Sequence, residues 1–171
     1  AAPFFDDFPT MDLDPNFWTY VDGARVTDDV IGEPSPPFAL VLNAAGTGEF
    51  RDDEIRSNEI MLGDSSGARL SYYIKHRGVE SGESLVVEFR NDNLAWVEIN
   101  RIVSDGIDQD TFVSYTHELL FDGLHDGFRV RFRAEVNEAN DSWFVDDVTV
   151  APCETERFGD LDFSGTVDIR D

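Results

Sequence analysis

Apolar and polar residues alternate with a period of two along most of the chain, and clusters of Gly, Asp, Asn and Pro interrupt the alternation. The clearest segment is FRVRFRAEV at 128–136, where Phe128, Val130 and Phe132 share one side and three arginines share the other. Successive side chains of a strand point to opposite faces, so this pattern predicts a strand with one buried face. The same pattern predicts strands at 4–8, 17–26, 38–43, 58–62, 69–77, 84–90, 95–103, 111–119 and 143–150.

The order of these segments predicts the fold class. About ten short strands are separated by turns rich in Gly, Asp and Pro, and helix signals are almost absent. Such a series is typical of an all-β protein, and we expect an antiparallel β-sandwich of the jelly-roll type. The composition changes at 152–157, and this change indicates a short linker. We therefore expect a sandwich over residues 1–152 and a short tail over residues 153–171.

The net charge of the chain restricts the classes of partner that it is expected to bind. The 171 residues include 13 Lys and Arg against 36 Asp and Glu, a formal net charge of −23. This balance argues against binding to nucleic acid or to an anionic membrane surface, and it favours cations. No apolar run approaches the roughly 20 residues of a membrane span. The start, Ala1-Ala2-Pro3, is typical of a chain after signal-peptide cleavage, so we expect an extracellular or cell-surface location.

Four segments carry a resemblance to a known family: SLVVEFRN at 84–91, WVEINR at 96–101, LHDGFRVRFRA at 124–134 and WFVDDVTV at 143–150. They resemble secreted bacterial jelly-roll modules that are distantly related to the MAM and reelin-repeat sandwiches. The resemblance implies a jelly roll, secretion and a non-catalytic accessory, adhesive or recognition role.

The tail contains a second, shorter motif, DLDFSGTVDIRD at 160–171. It is similar to the calcium loop of a type I dockerin repeat, an EF-hand relative. Ca²⁺ takes about 6–8 oxygen ligands, which a 12-residue loop supplies from fixed positions around a turn glycine. Gly165 stands at the turn position, and the expected ligands are Asp160, Asp162, Ser164, Thr166 (through its carbonyl), Asp168 and Asp171. A dockerin binds its partner through helices that this sequence does not include, so the resemblance implies calcium binding, and cohesin binding is not carried over.

A second calcium site is suggested by Asp146. Alternation places its carboxylate on the same face as Phe144 and Val148, which should be the core, and a buried carboxylate needs a partner. The jelly-roll resemblance implies a structural Ca²⁺ between the first and last strands, with Asp6 or Asp7 as the opposite ligand. A hydrogen bond from backbone amides, or a salt bridge to an arginine, is the alternative.

Basic and aromatic residues are the candidates for ligand or partner binding. Arg129, Arg131 and Arg133 must project from one face of a strand. If neighbouring strands follow the chain order, Tyr73 and Trp96 project to the same side and form a platform for a sugar ring or a protein. The alternative is an internal ladder of cross-strand pairs with Glu88, Glu98 and Glu135.

The N-terminal segment contains Phe4, Phe5 and Phe8, which are too apolar to remain in water. They either form the first strand of their own sandwich or complete the sheet of a neighbouring molecule, which would produce self-association.

The chain has one cysteine, Cys153, no Gly-x-Ser-x-Gly motif, and no histidine at a catalytic or zinc-binding spacing. We therefore expect a protein that is not an enzyme. The leading hypothesis is a calcium-stabilised structural or adhesive module of the cell surface or extracellular matrix that assembles into filaments. The alternative hypothesis is a carbohydrate-binding module that accompanies a secreted enzyme.

Overall fold

The structure, a computed structural model, describes residues 4–45 and 53–153. In this part of the chain it contains eleven strands and one short 3-10 turn at Phe121–Gly123. The strands are β1 Phe4–Asp6, β2 Trp18–Asp22, β3 Arg25–Thr27, β4 Ala39–Leu42, β5 Glu54–Ser57, β6 Ala68–Arg77, β7 Ser84–Arg90, β8 Trp96–Val103, β9 Val113–Leu119, β10 Val130–Glu135 and β11 Ser142–Pro152.

Two antiparallel sheets pack face to face, which confirms the predicted all-β jelly-roll sandwich. One sheet, called sheet A, has the order β3-β4-β11-β6-β9, and β1 also pairs with β11. The other, called sheet B, has the order β2-β5-β10-β7-β8. Chain neighbours are often in different sheets, so the path of the chain does not give the order of the strands. Among the described residues there is no helix long and apolar enough to cross a membrane.

The core lies between the inner faces of the two sheets. Strand β10 alternates as the sequence predicts, with Val130, Phe132 and Ala134 fully buried. Phe132 meets Tyr72 of β6 edge to face, with ring centroids 5.3 Å apart, and so joins the two sheets. Burial of an aliphatic or aromatic side chain of this size contributes about 1.5–3 kcal/mol relative to exposure.

Two predicted segments differ from the structure. The segment 17–26 forms two strands, β2 in sheet B and β3 in sheet A, because the chain turns between them at Gly23 with φ of 76°. A positive φ of this kind is adopted readily by glycine alone. The prediction of a strand at 58–62 is wrong: the strand is β5, and Ile60 makes only an isolated bridge to Phe128.

Irregularities in two strands change which side chains face the core. The register of β7 and β8 shifts beside Glu88, and after this bulge Ile102 packs inward while Val103 is 56% exposed. Simple alternation with Val97 and Ile99 would place Val103 toward the core, but an extra residue in a strand inverts the faces beyond it. A second shift lies in β11 between Asp146 and Thr149, where Asp147 has φ of 48°.

The N-terminal strand belongs to its own molecule. Phe4 pairs with Val150 of β11, and both Phe4 and Phe8 are buried in the core, whereas Phe5 is 45% exposed. Trp18 packs edge to face on Phe4, with ring centroids 5.5 Å apart. Of the two arrangements left open by the sequence, the structure shows the self-contained one.

Candidate functional site

The outer face of sheet B carries the arginines that the sequence singled out, and acidic side chains surround them. Arg131 of β10 forms ion pairs with Glu88 of β7 and, at 3.5 Å, with Glu54 of β5. Arg133 lies 3.2 Å from Glu88 and 2.8 Å from Glu135. The ladder of cross-strand pairs, one of the two alternatives, is therefore present.

The ladder continues to both ends of the face. Arg101 of β8 lies 2.9 Å from Glu98 and also pairs with Glu135, and Arg129 lies 3.4 Å from Glu59. The hydrogen bond from Arg101, supported by those from Arg133 and Ser84, lowers the pKa of Glu135 from 4.5 to about 2. Glu135 is therefore held in its charged form, as a paired acceptor within the ladder.

Two aromatic side chains lie across this ladder. Tyr20 and Trp96 come from β2 and β8, the two outermost strands of sheet B. The guanidinium of Arg131 is 4.3 Å from the centroid of the Trp96 ring, and that of Arg56 is 4.2 Å from the Tyr20 ring and 5.5 Å from the Trp96 ring. Tyr20, Arg56, Trp96 and Arg131 thus form a continuous surface, which we call the aromatic–arginine strip.

The strip is fixed by contacts on its inner side. The Arg131 side chain is only 14% exposed, and Arg56 donates to Glu54 at 2.9 Å. Tyr20 remains 41% exposed and Trp96 is half-buried. The rings therefore stay available to a ligand, while stacking on the guanidiniums restricts their orientation.

Tyr73 does not belong to this surface, contrary to expectation. It lies in β6, which pairs with β11 and β9 in sheet A, so its outward face is on the opposite side of the sandwich from Trp96. Arg69, Lys75 and Arg77 share that opposite side. The single basic surface expected from neighbouring strands is wrong, because the chain changes sheets between β6 and β7.

Tyr20 and Arg56 were missed at the sequence level. Trp18 and Tyr20 are two residues apart, so alternation places them on one face, yet Trp18 is buried and Tyr20 is exposed. The register of β2 against β5 shifts between these two residues and turns Tyr20 outward. Arg56 lies in β5, the strand that the pattern placed a few residues too late.

Two of the acidic residues proposed as calcium ligands, Asp6 and Asp146, accept hydrogen bonds from other groups in the structure. The two carboxylate oxygens of Asp146 accept hydrogen bonds from the backbone amides of Ser35 and Asp147, at 3.0 and 2.8 Å. Burial raises the pKa of Asp146 to about 7. Asp6 accepts from the amide of Phe8 at 2.8 Å and from the indole of Trp18 at 2.6 Å.

Asp7 lies just beyond β1, close enough to Asp146 for its charge to contribute to the raised pKa. Within residues 4–45 and 53–153, no group of three or more His, Cys, Asp or Glu is arranged to hold a metal ion. The predicted amide partners of Asp146 are thus present, and these carboxylates as placed do not form a calcium cage. The loop at 160–171 lies outside the described residues.

Comparisons with known proteins identify the fold and no family. No family model matches the chain, and no curated protein matches it. Among solved structures it is similar to the K1 cleaved adhesin domain of Lys-gingipain from Porphyromonas gingivalis, with a TM-score of 0.63, 13% identity, and coverage of 90% of this chain and 100% of that one.

Two carbohydrate-binding modules are also similar. The xylan-binding CBM22-1 domain from Paenibacillus barcinonensis has a TM-score of 0.55 and 13% identity, with coverage of 89% of this chain and 94% of that one. The module TmCBM61, solved with β-1,4-galactotriose, has a TM-score of 0.53 and 11% identity, with coverage of 84% and 99%. At these identities the similarity establishes the sandwich fold alone.

Proposed function

We propose that this chain is a non-catalytic, extracellular carbohydrate-binding module and that the aromatic–arginine strip is its binding surface. The observation that carries the proposal is the position of Tyr20 and Trp96, which reach from the two edges of sheet B over the same row of arginines. The similarity of the fold to modules that bind xylan and galactotriose supports it.

The chemistry of the strip suits an uncharged polysaccharide. The apolar C–H face of a sugar ring stacks on an aromatic side chain, and its hydroxyl groups hydrogen-bond to charged side chains at the ring edge. Around the two rings the charges balance, since Arg56 and Arg131 are paired with Glu54 and Glu88. These paired groups are already oriented, so little conformational entropy is lost when the ligand binds.

The test compares Trp96→Ala with Tyr73→Ala, a matched aromatic variant on the opposite face. Binding to soluble xylan and β-1,4-galactan is measured by affinity electrophoresis, and folding is checked by circular dichroism. We expect wild type and Tyr73→Ala to bind equally. Trp96→Ala should lose about 2 kcal/mol, a factor of roughly 30, as a central aromatic contact does.

A Tyr20→Ala variant serves as the second probe if Trp96→Ala unfolds. The proposal fails if wild type binds no polysaccharide across a broad panel of neutral polymers. It also fails if the strip variants bind as well as wild type.

Calcium stabilisation is a separate proposal, and it rests on the motif at 160–171. An ion that binds only the native state adds about 2.7 kcal/mol of stability at 100 times its Kd. For a chain of this length we expect the melting temperature to fall by about 5–10 °C when EDTA is added to calcium-loaded protein. A double variant, Asp160→Ala with Asp162→Ala, should abolish this shift. A shift that persists in this variant and disappears in Asp146→Asn would place the ion at the β11 bulge instead.

The structural or adhesive role and filament formation stay predictions. They gain no support from the N-terminal strand, because Phe4 and Phe8 fill the core of their own sandwich.

A further inference from the structure

A polar cavity of about 270 Å³ opens on the outer face of sheet A, on the opposite side of the sandwich from the aromatic–arginine strip. It lies where β3, β4, β11 and the end of β6 come together. The polar side chains that line it belong to Arg25, Thr27, Asp29, Asn43, Arg77, Asn140 and Ser142. Cavities for drug-sized ligands measure about 300–1,000 Å³, so this one suits a smaller molecule.

Arg25 is the first of two guanidiniums in the cavity. Within the described part of the chain it has no carboxylate partner, and its one hydrogen bond is to Oδ1 of Asn43 at 3.4 Å. Asn43 is itself held in place, since the same oxygen accepts from the amide of Ala45 at 2.9 Å. On a protein of net charge −23, an arginine with no acidic partner among the described residues is unusual. It leaves donors free for an anion.

Arg77 is the second guanidinium. It lies over the Phe144 ring, 5.1 Å from the centroid, and donates to the carbonyl of Asp29 at 3.2 Å and to its carboxylate at 2.9 Å. The Asp29 side chain is 82% exposed, so this ion pair is weak and an incoming carboxylate can compete with it. With one acid against two bases, the charged side chains among the described lining residues sum to +1.

Ser142 adds a hydroxyl group to the cavity wall. The residue is only 6% exposed and lines the cavity, and its side chain makes no hydrogen bond within residues 4–45 and 53–153. The hydroxyl of Thr27 and the amide of Asn140 provide further donors and acceptors on the same walls.

We propose that this cavity binds one carboxylate-bearing sugar residue, a hexuronate, through Arg25 and Arg77. The guanidiniums match the carboxylate, and the hydroxyl and amide groups match the ring hydroxyls. The negative charge of the remaining surface repels polyanions, so the ligand is an isolated uronate on a neutral chain and not a polyuronate. The site uses none of the residues of the strip and does not depend on the function proposed above.

The test titrates the full chain with methyl glucuronoside, methyl glucoside and acetate, followed by amide chemical shifts. We expect the glucuronoside to bind at least tenfold more tightly than either control and to shift amides around Arg25 and Ser142. Arg25→Gln should weaken binding at least tenfold, whereas Asp29→Asn, which frees Arg77, should strengthen it several-fold. Trp96→Ala should bind the glucuronoside as wild type does, which separates this site from the strip.

Equal affinity for glucuronoside and glucoside would overturn the proposal, as would binding that Arg25→Gln leaves unchanged. Acetate binding as tight as that of the glucuronoside would mean an anion site without sugar recognition, which also overturns it. If Arg25→Gln does not fold, the Asp29→Asn variant decides the question. An affinity for the glucuronoside no higher than that of wild type would contradict the pairing of Arg77 with the carboxylate.

Discussion

The two outer faces of the sandwich use the same kinds of side chain in different ways. On sheet B every arginine of the ladder has a glutamate partner, and the aromatic rings lie on top of the guanidiniums. On sheet A the guanidinium of Arg77 lies on top of the ring of Phe144, which is 1% exposed. Arg25, on the same face, has no acid beside it in the described part of the chain. One face therefore presents rings to solvent and the other presents charge.

The difference shows that composition does not decide what a face recognises. A neutral, aromatic surface favours an uncharged polymer, and a cavity guanidinium with no acid beside it among the described residues favours an anion. The kind of ligand that a face favours depends on whether the strand register places glutamates opposite its arginines. In sheet B, Arg131 faces Glu88 directly across the strands.

The largest effect is expected from Glu88→Gln, which removes the central acid of sheet B. Glu88 is 7% exposed and pairs with both Arg131 and Arg133, so its loss removes one acidic partner from each of two largely buried guanidiniums. Breaking a buried pair in this way costs about 3 kcal/mol. The melting temperature, measured by calorimetry, should fall by roughly 6–12 °C. A fall below 2 °C would mean that the ladder contributes little to the fold.

A smaller effect is expected from pH at Glu135. Its pKa of about 2 lies below the ordinary value of 4.5, so its pairing stabilises the fold above pH 4.5, and this stability is lost as pH falls toward 2. Melting curves of wild type and Glu135→Gln should differ by a few degrees at pH 7, and the gap should narrow below pH 4.5 and close as pH falls to about 2. A constant gap across this range would contradict the assignment to Arg101.

The smallest effect is expected from Glu118→Gln on sheet A. Its pair with Arg69 spans 3.5 Å between side chains that are 67% and 60% exposed. Exposed pairs of this kind contribute about 0–1 kcal/mol. The melting temperature should therefore stay within about 2 °C of wild type, at low and at high salt. A fall as large as that of Glu88→Gln would remove the contrast between the two faces.

Sequence reasoning located most strands because their alternation is regular, as in β6, β7 and β10. It failed for β5, whose buried positions include Glu54 and Ser57, because polar residues there hide the period-two pattern. Buried polar side chains of a strand have tertiary partners, such as Arg131 of β10 for Glu54, and a local pattern does not contain such partners.

The candidate site was predicted in part for a related reason. Alternation correctly predicted that Trp96 faces outward. It does not predict which sheet a strand joins, so the placement of Tyr73 on the same surface as Trp96 was wrong. The strip also needs Tyr20, whose direction depends on a bulge between β2 and β5. Bulges and sheet membership arise from long-range strand pairing, so a sequence segment of about ten residues predicts neither.

The pairing of β1 with β11 has a mechanical consequence. Phe4 lies opposite Val150 in an antiparallel pair, so a load applied through residues 4 and 152 pulls both strands from the same end. Their hydrogen bonds would then break one after another, as in a zipper, and not together. Peeling β1 away also removes the contacts of Phe4 and Asp6 with Trp18, two residues from Tyr20. Tension along the chain would therefore reach the strand that carries one ring of the aromatic–arginine strip.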